Sequence, residues 1–163
     1  LVDPSLYLSD TLNIMVATDY AKNMYVYRAD SLFGKWQLHP KPIALIGTES
    51  RAGGRFFAAR KGLLLPVQDF SRGYGCGLSL YRFSFQNGNY TVKREKKNFL
   101  TAEANIKEFN AGMHQLDIQR LDAAHYYYVY DGNRLNSNSK RLNLWGPLKW
   151  NYLDFKNWVV QSW

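Results

Sequence analysis

Eight side chains spread over the first 114 residues have the types to handle a hydroxyl-rich or anionic ligand: Asp3, Glu49, Arg51, Gln68, Asp69, Arg72, Tyr74 and His114. Two carboxylates beside an arginine and a histidine form a set suited to glycosidic-bond chemistry. One group gives a proton to the leaving oxygen and another steadies positive charge at the anomeric carbon. Asp3 and Glu49 are the candidate catalytic carboxylates, and Arg51 and His114 would flank them. The densest polar group is Gln68-Asp69-Phe70-Ser71-Arg72-Gly73-Tyr74-Gly75. Its glycines let a loop curl over a ligand. Arg72 can hold a phosphate or carboxylate bidentately, and Tyr74 can stack on a sugar ring. The substrate-binding set is therefore Arg51, Gln68, Asp69, Arg72, Tyr74 and His114. Each residue also has a plainer role open to it. Asp3 before Pro4 suits a turn, Glu49 a solvated loop charge, and Arg51 a partner for Glu49. Asp69 could cap a turn with Arg72 clipped to it.

Those residues need elements to position them, and the sequence supplies strands. Alternation of period two dominates. Ser5–Leu8, Leu12–Ala17, Met24–Arg28 and Lys35–Leu38 form one set, which Pro40 and Pro42 should end. The order recurs in Arg55–Ala59, Leu63–Val67, Leu78–Phe85 and Tyr90–Lys93, with Asn87-Gly88 as a tight hairpin. A third copy starts at Gly112–Ile118 and continues through His125–Tyr130. The second strands end in Asp19, Asp69 and Asp131, so Asp69 could equally be a feature of the repeat. No helix of period 3.6 is visible. Leu142–Trp145 and Trp158–Val160 read as further strands. Four strands per 40 to 60 residues point to a β-propeller with blades at about 1–45, 50–98 and 110–163. A β-sandwich with similar hairpins is the alternative. About two and a half to three blades cannot close a ring. The chain, starting at Leu1, thus reads as one partial propeller domain (1–163), whose missing remainder would be its partner. In a ring, the starts of the innermost strands meet at one mouth, which would gather Asp3, Glu49, Arg51 and His114.

Composition agrees with this all-β class. Hydrophobic residues make up 46% and aromatic residues 16%, enough for a core and biased towards strands. The net charge is +8, but the one dense basic run, Lys93-Arg94-Glu95-Lys96-Lys97, is broken by Glu95. It reads as the solvated end of an outer strand, and no nucleic-acid partner is expected. Cys76 is the only cysteine, so no internal disulfide forms. A lone thiol fits the cytoplasm without fixing a location. No apolar stretch is long enough to span a membrane. No cofactor is expected and no metal ligand is assigned.

Several segments resemble a known group. Val2-Asp3-Pro4-Ser5-Leu6-Tyr7 is similar to the Asp-Pro strand start of the five-bladed glycoside hydrolases of families 43 and 32. Tyr27–Trp36 with His39-Pro40 is similar to their blade endings. Ser50-Arg51-Ala52-Gly53-Gly54-Arg55-Phe56-Phe57 and Gln68–Gly75 resemble most the propeller domain of glucosamine inositolphosphorylceramide transferase-like proteins. Gly112-Met113-His114 and Val129–Gly132 fit the same pattern, so the resemblance covers about residues 1–132. It implies a five-bladed propeller in which Asp3 orients a catalytic acid and tunes its pKa. Glu49 lies near the acid's place, but the motif that follows it differs. The blade carrying the nucleophile or base would precede Leu1. A structural calcium near His114 is a further implication, with no dense oxygen cluster to support it. The expected function is to act on or recognise a glycoside or sugar-phosphate, with a carbohydrate or glycolipid-type ligand as partner. The alternatives are a non-catalytic sugar-binding module serving a transferase domain and a protein-interaction propeller.

Overall fold

The computed structural model describes residues 1–102 and 109–134. The strands expected at Leu142–Trp145 and Trp158–Val160 lie outside them. Among the described residues there are strands and turns and no α-helix. The strands are β1 (Val2–Tyr7), β2 (Ile14–Thr18), β3 (Asn23–Arg28), β4 (Gln37–Ile46), β5 (Glu49–Ala52), β6 (Phe57–Ala59), β7 (Gly62–Asp69), β8 (Gly77–Gln86), β9 (Asn89–Thr101), β10 (Leu116–Arg120) and β11 (Tyr126–Tyr130). They form three antiparallel sheets. One runs β1-β2-β3-β4, the second runs β5-β7-β8-β9 with β6 also on β7, and the third is the pair β10-β11.

The first two sheets share a core. Ile14, Val16, Met24 and Val26 from the first meet Leu65, Val67, Tyr81 and Phe83 from the second. The alternate residues of β2 and β3 face this core as period two requires. Each such aliphatic or aromatic side chain contributes about 1.5–3 kcal/mol by leaving water. A buried hydrogen bond from Thr18 Oγ1 to the Ser50 carbonyl, 2.7 Å, ties the two sheets where β2 ends and β5 begins.

Three elements differ from expectation. Pro40 and Pro42 do not end the fourth strand: β4 is an edge strand, where a missing N–H costs no ladder bond. They sit in an irregular stretch between the Tyr27↔Leu38 and Tyr25↔Ile43 pairs, and pairing resumes through Leu45 and Ile46. The basic run 93–97 is not the end of its strand, because β9 continues to Thr101. β9 is the second sheet's other edge. Its lysines and its two register shifts discourage pairing with a foreign strand. Finally, the strand expected at Arg55–Ala59 is only the short β6 (Phe57–Ala59), and an unexpected strand, β5 (Glu49–Ala52), pairs with the same β7 on the other side of Gly53-Gly54. The Asn87-Gly88 hairpin forms as expected, with both residues at positive φ (51° and 72°).

Gly54 sits at φ 153°, and a Cβ there would collide with the Leu116 carbonyl. The Leu116 N–H donates to the Gly53 carbonyl at 2.6 Å. This close approach seats the third sheet against the β5–β6 corner.

Candidate ligand site at one end of the sheets

The β1 ladder carries one extra residue between the Val2↔Thr18 and Ser5↔Val16 pairs. Asp3-Pro4 occupies this bulge, where proline's lack of an N–H is harmless. Asp3 takes φ 49°, a left-handed conformation that Asp tolerates better than most residues. β5 is shifted in the same way, between Glu49↔Asp69 and Arg51↔Gln68. β1 and β5, the first strands of the two sheets, lie against each other, and their bulges bring Asp3 and Arg51 together. Arg51 Nε donates to Asp3 Oδ2 at 2.6 Å, and its terminal nitrogen meets the same oxygen. Gln68 Nε2 donates to the Ala52 carbonyl at 2.7 Å and lies 3.5 Å from Asp3 Oδ2.

Aromatic rings extend this pair. The Arg51 guanidinium lies 5.5 Å from the Phe70 ring centre and 5.8 Å from that of Tyr74, within cation–π range. Phe70 and Tyr74 are 5.8 Å apart, and Tyr74 is 5.0 Å from the His114 ring. Lys22 Nζ stands 4.4 Å from the Phe70 centre. Tyr74 is 60% exposed, so most of its surface is open to a ligand. His114 reaches Tyr74 because its segment packs directly on the Tyr74 loop. Gly112 takes φ 134°, and a Cβ there would strike the Gly75 carbonyl and the Cys76 backbone. Asp131 fixes His114. Its Oδ1 accepts from the backbone N–H of His114 (2.9 Å) and of Gln115 (2.8 Å), and its Oδ2 lies against His114 Nδ1.

Five of the eight expected residues are therefore linked: Asp3, Arg51, Gln68, Tyr74 and His114. Arg72 is exposed on the same loop, with no hydrogen bond or ion pair among the described residues. Asp69 is buried and accepts the Ser71 N–H at 2.7 Å, which is a turn cap; the clip to Arg72 is not formed. Arg51 pairs with Asp3 and not with Glu49.

Glu49 is placed differently. It is no solvated loop charge: its side chain is 5% exposed. Ser79 Oγ donates to it at 2.6 Å, Tyr81 Oη at 2.5 Å and Arg94 at 2.9 Å. Burial pushes its carboxyl pKa up, and these three donors outweigh burial, leaving it below the ordinary carboxylate range. Burial first, and then the Glu49 carboxylate it bonds, push the Tyr81 phenol up, against a smaller opposing pull from Arg94. A group held ionised and fully hydrogen-bonded has no proton to give a leaving oxygen. Nor do the described residues contain a cluster of three or more His, Cys, Asp or Glu able to hold a metal.

Phe70, Lys22, Asp131 and Arg94 were not among the expected site residues. Arg94 was within reach of the sequence. A two-residue Asn-Gly turn sets Gln86 opposite Asn89, which places Tyr81 opposite Arg94. Asp131 carried no comparable signal, because it reaches His114 through a loop.

The fold and the site define an all-β chain of antiparallel sheets with an aromatic and cationic cluster at one sheet end. No family model and no solved structure matches it. Two curated proteins do, both called glucosamine inositolphosphorylceramide transferase 1, from the japonica and indica subspecies of Oryza sativa. Each is 27% identical over 165 aligned residues, covering 90% of this chain and 21% of the relative. The chain thus spans about a fifth of the length of these relatives.

Proposed function

We propose that this chain is part of a five-bladed β-propeller of the glycosidase-like type, and that it recognises the sugar or sugar-phosphate portion of a glycolipid-type ligand for a glycosyltransferase-type protein. The observation that carries this reading is the Arg51–Tyr74–His114 cluster: an exposed ring flanked by a cation anchored on Asp3 and an imidazole anchored on Asp131. A sugar ring stacks on such a face while its oxygens meet the flanking polar groups. Arg72, beside Tyr74, is available for a phosphate or carboxylate. The names of the relatives, which pair glucosamine with an inositol phospholipid, suggest the ligand class. Recognition is favoured over bond cleavage because Glu49 is engaged by Ser79, Tyr81 and Arg94.

Calorimetric titration with glucosamine, methyl glucosaminide and myo-inositol 1-phosphate tests the proposal. Tyr74→Ala should weaken the binding of at least one probe about tenfold, the worth of one stacking contact. Arg72→Ala should weaken the phosphate more than the neutral sugars. Glu49→Gln should leave affinity within about twofold wherever the protein stays folded. Binding that ignores Tyr74 and Arg51, or hydrolysis of a glycoside that Glu49→Gln abolishes, would overturn it.

A further inference from the structure

The three histidines of the chain are held in three ways. His39 is buried with both ring nitrogens engaged by backbone: Nδ1 accepts the Lys41 N–H at 3.0 Å, and Nε2 donates to the Gly88 carbonyl at 2.9 Å. Its ring packs edge-on to Tyr90 at 4.8 Å, so His39 serves the fold. His125 is on the surface beside Asp122, with its side chain 74% exposed. His114 combines the two arrangements. Its Nδ1 is buried with the Asp131 Oδ2 carboxylate oxygen against it, and no other described residue hydrogen-bonds to it. Its side chain is nonetheless 28% exposed, and no described residue hydrogen-bonds to Nε2.

A carboxylate only accepts hydrogen bonds, so a neutral imidazole resting on Asp131 keeps its proton on Nδ1. Asp131 cannot swing away from this contact, because its other oxygen is pinned by the N–H groups of His114 and Gln115. The remaining nitrogen, Nε2, then carries a lone pair and no proton. We propose that Asp131 presets His114 as a hydrogen-bond acceptor, so that Nε2 selects a ligand that presents a proton-donating hydroxyl beside the Tyr74 ring. This rests on the sugar-recognition reading and adds a polarity to the site. Arg51, which has only donors, would meet a ligand oxygen that accepts, and His114 would meet one that donates. A stacked ring with hydroxyls on both sides fits this pattern. A fully ionised phosphate or carboxylate at His114 would face a lone pair. Asp131 is a positioning residue here, and His114 is the one that touches the ligand.

Asp131→Asn is nearly isosteric. It keeps an oxygen for the two N–H groups but turns an N–H towards Nδ1, which moves the ring proton to Nε2. Nitrogen-15 NMR of imidazole-labelled protein in mildly alkaline solution should show the Nδ1–H form for His114 in the parent and the Nε2–H form in Asp131→Asn, with His39 unchanged in both. Titration with methyl glucosaminide and its monodeoxy and monofluoro analogues supplies the second reading. Fluorine accepts but does not donate, so at the selected position both replacements should weaken binding about tenfold, and Asp131→Asn should weaken methyl glucosaminide by a similar factor. A parent His114 found as Nε2–H or as the imidazolium overturns the inference, as does a fluoro analogue that keeps full affinity at every position. If probes bind and need Tyr74 but ignore Asp131→Asn, this inference falls while the sugar reading stands. If no probe binds, both fall.

Discussion

Asp3 and Glu49 stand at the same end of neighbouring sheets, Asp3 within the β1 bulge opposite the end of β2, and Glu49 paired with Asp69 just before the β5 bulge. The chain uses them in opposite ways. Glu49 points into protein, where Ser79, Tyr81 and Arg94 from two further strands close around it. Asp3 is one-third exposed and spends its charge on aligning Arg51 beneath two aromatic rings. A carboxylate surrounded by donors on neighbouring strands becomes part of the sheet's construction. One that meets a single cation at the sheet end holds that cation half-buried against the rings of Phe70 and Tyr74. The sheet end is shared; the one-residue difference in position relative to the bulge, and the neighbours each side chain then meets, decide the role.

The sharpest way to break this contrast is Glu49→Ala. It strands the Tyr81 and Ser79 hydroxyls and the Arg94 cation, and should cost about 3 kcal/mol of unfolding free energy in a urea titration. A loss below about 0.5 kcal/mol, typical of a surface change, would put Glu49 among solvated charges. Next is Gly112→Ala, expected to cost about 2 kcal/mol through strain at positive φ and the collision with Gly75, and to weaken sugar binding as well by displacing His114. If it alters neither melting nor binding, the docking of the two loops is not what builds the cluster.

Acid sensitivity offers a third comparison. The folded-state pKa of Glu49 lies below its unfolded value, so the folded protein binds fewer protons there. Its contribution is complete above the unfolded value and is lost as pH falls through the folded one. The parent should therefore lose stability from the ordinary carboxylate range downward, and Glu49→Gln should flatten that slope. An unchanged slope would assign it to other carboxylates. The smallest stability effect belongs to the sheet end. Arg51→Met should change unfolding free energy by under about 1 kcal/mol, because its partner is partly exposed. In the same protein it should remove most of the affinity for a bound sugar. A large stability loss would make Arg51–Asp3 a structural pair like Glu49–Arg94.

The strand pattern was legible because period-two alternation and turn residues are local properties. Val16 and Val26 announce a buried face, and Asn87-Gly88 fixes the β8–β9 register and with it the meeting of Tyr81 and Arg94. The sequence by itself determined the all-β class, most strand positions and the group from which the site is drawn. The sheet end was another matter. Whether Arg51 would pair with Asp3 or with Glu49 depended on two bulges, each of which turns a strand by one residue. The loop bearing Arg72 and Tyr74 lies beside His114 only because glycine lets two backbones touch at Gly75 and Gly112. The likeness of Asp19, Asp69 and Asp131 also concealed three separate duties. Asp19 binds Asn23 and Tyr25, Asp69 caps its own turn, and Asp131 reaches back to His114. Tertiary structure decided these points because each depends on distance between segments far apart in the chain, which local alternation does not encode.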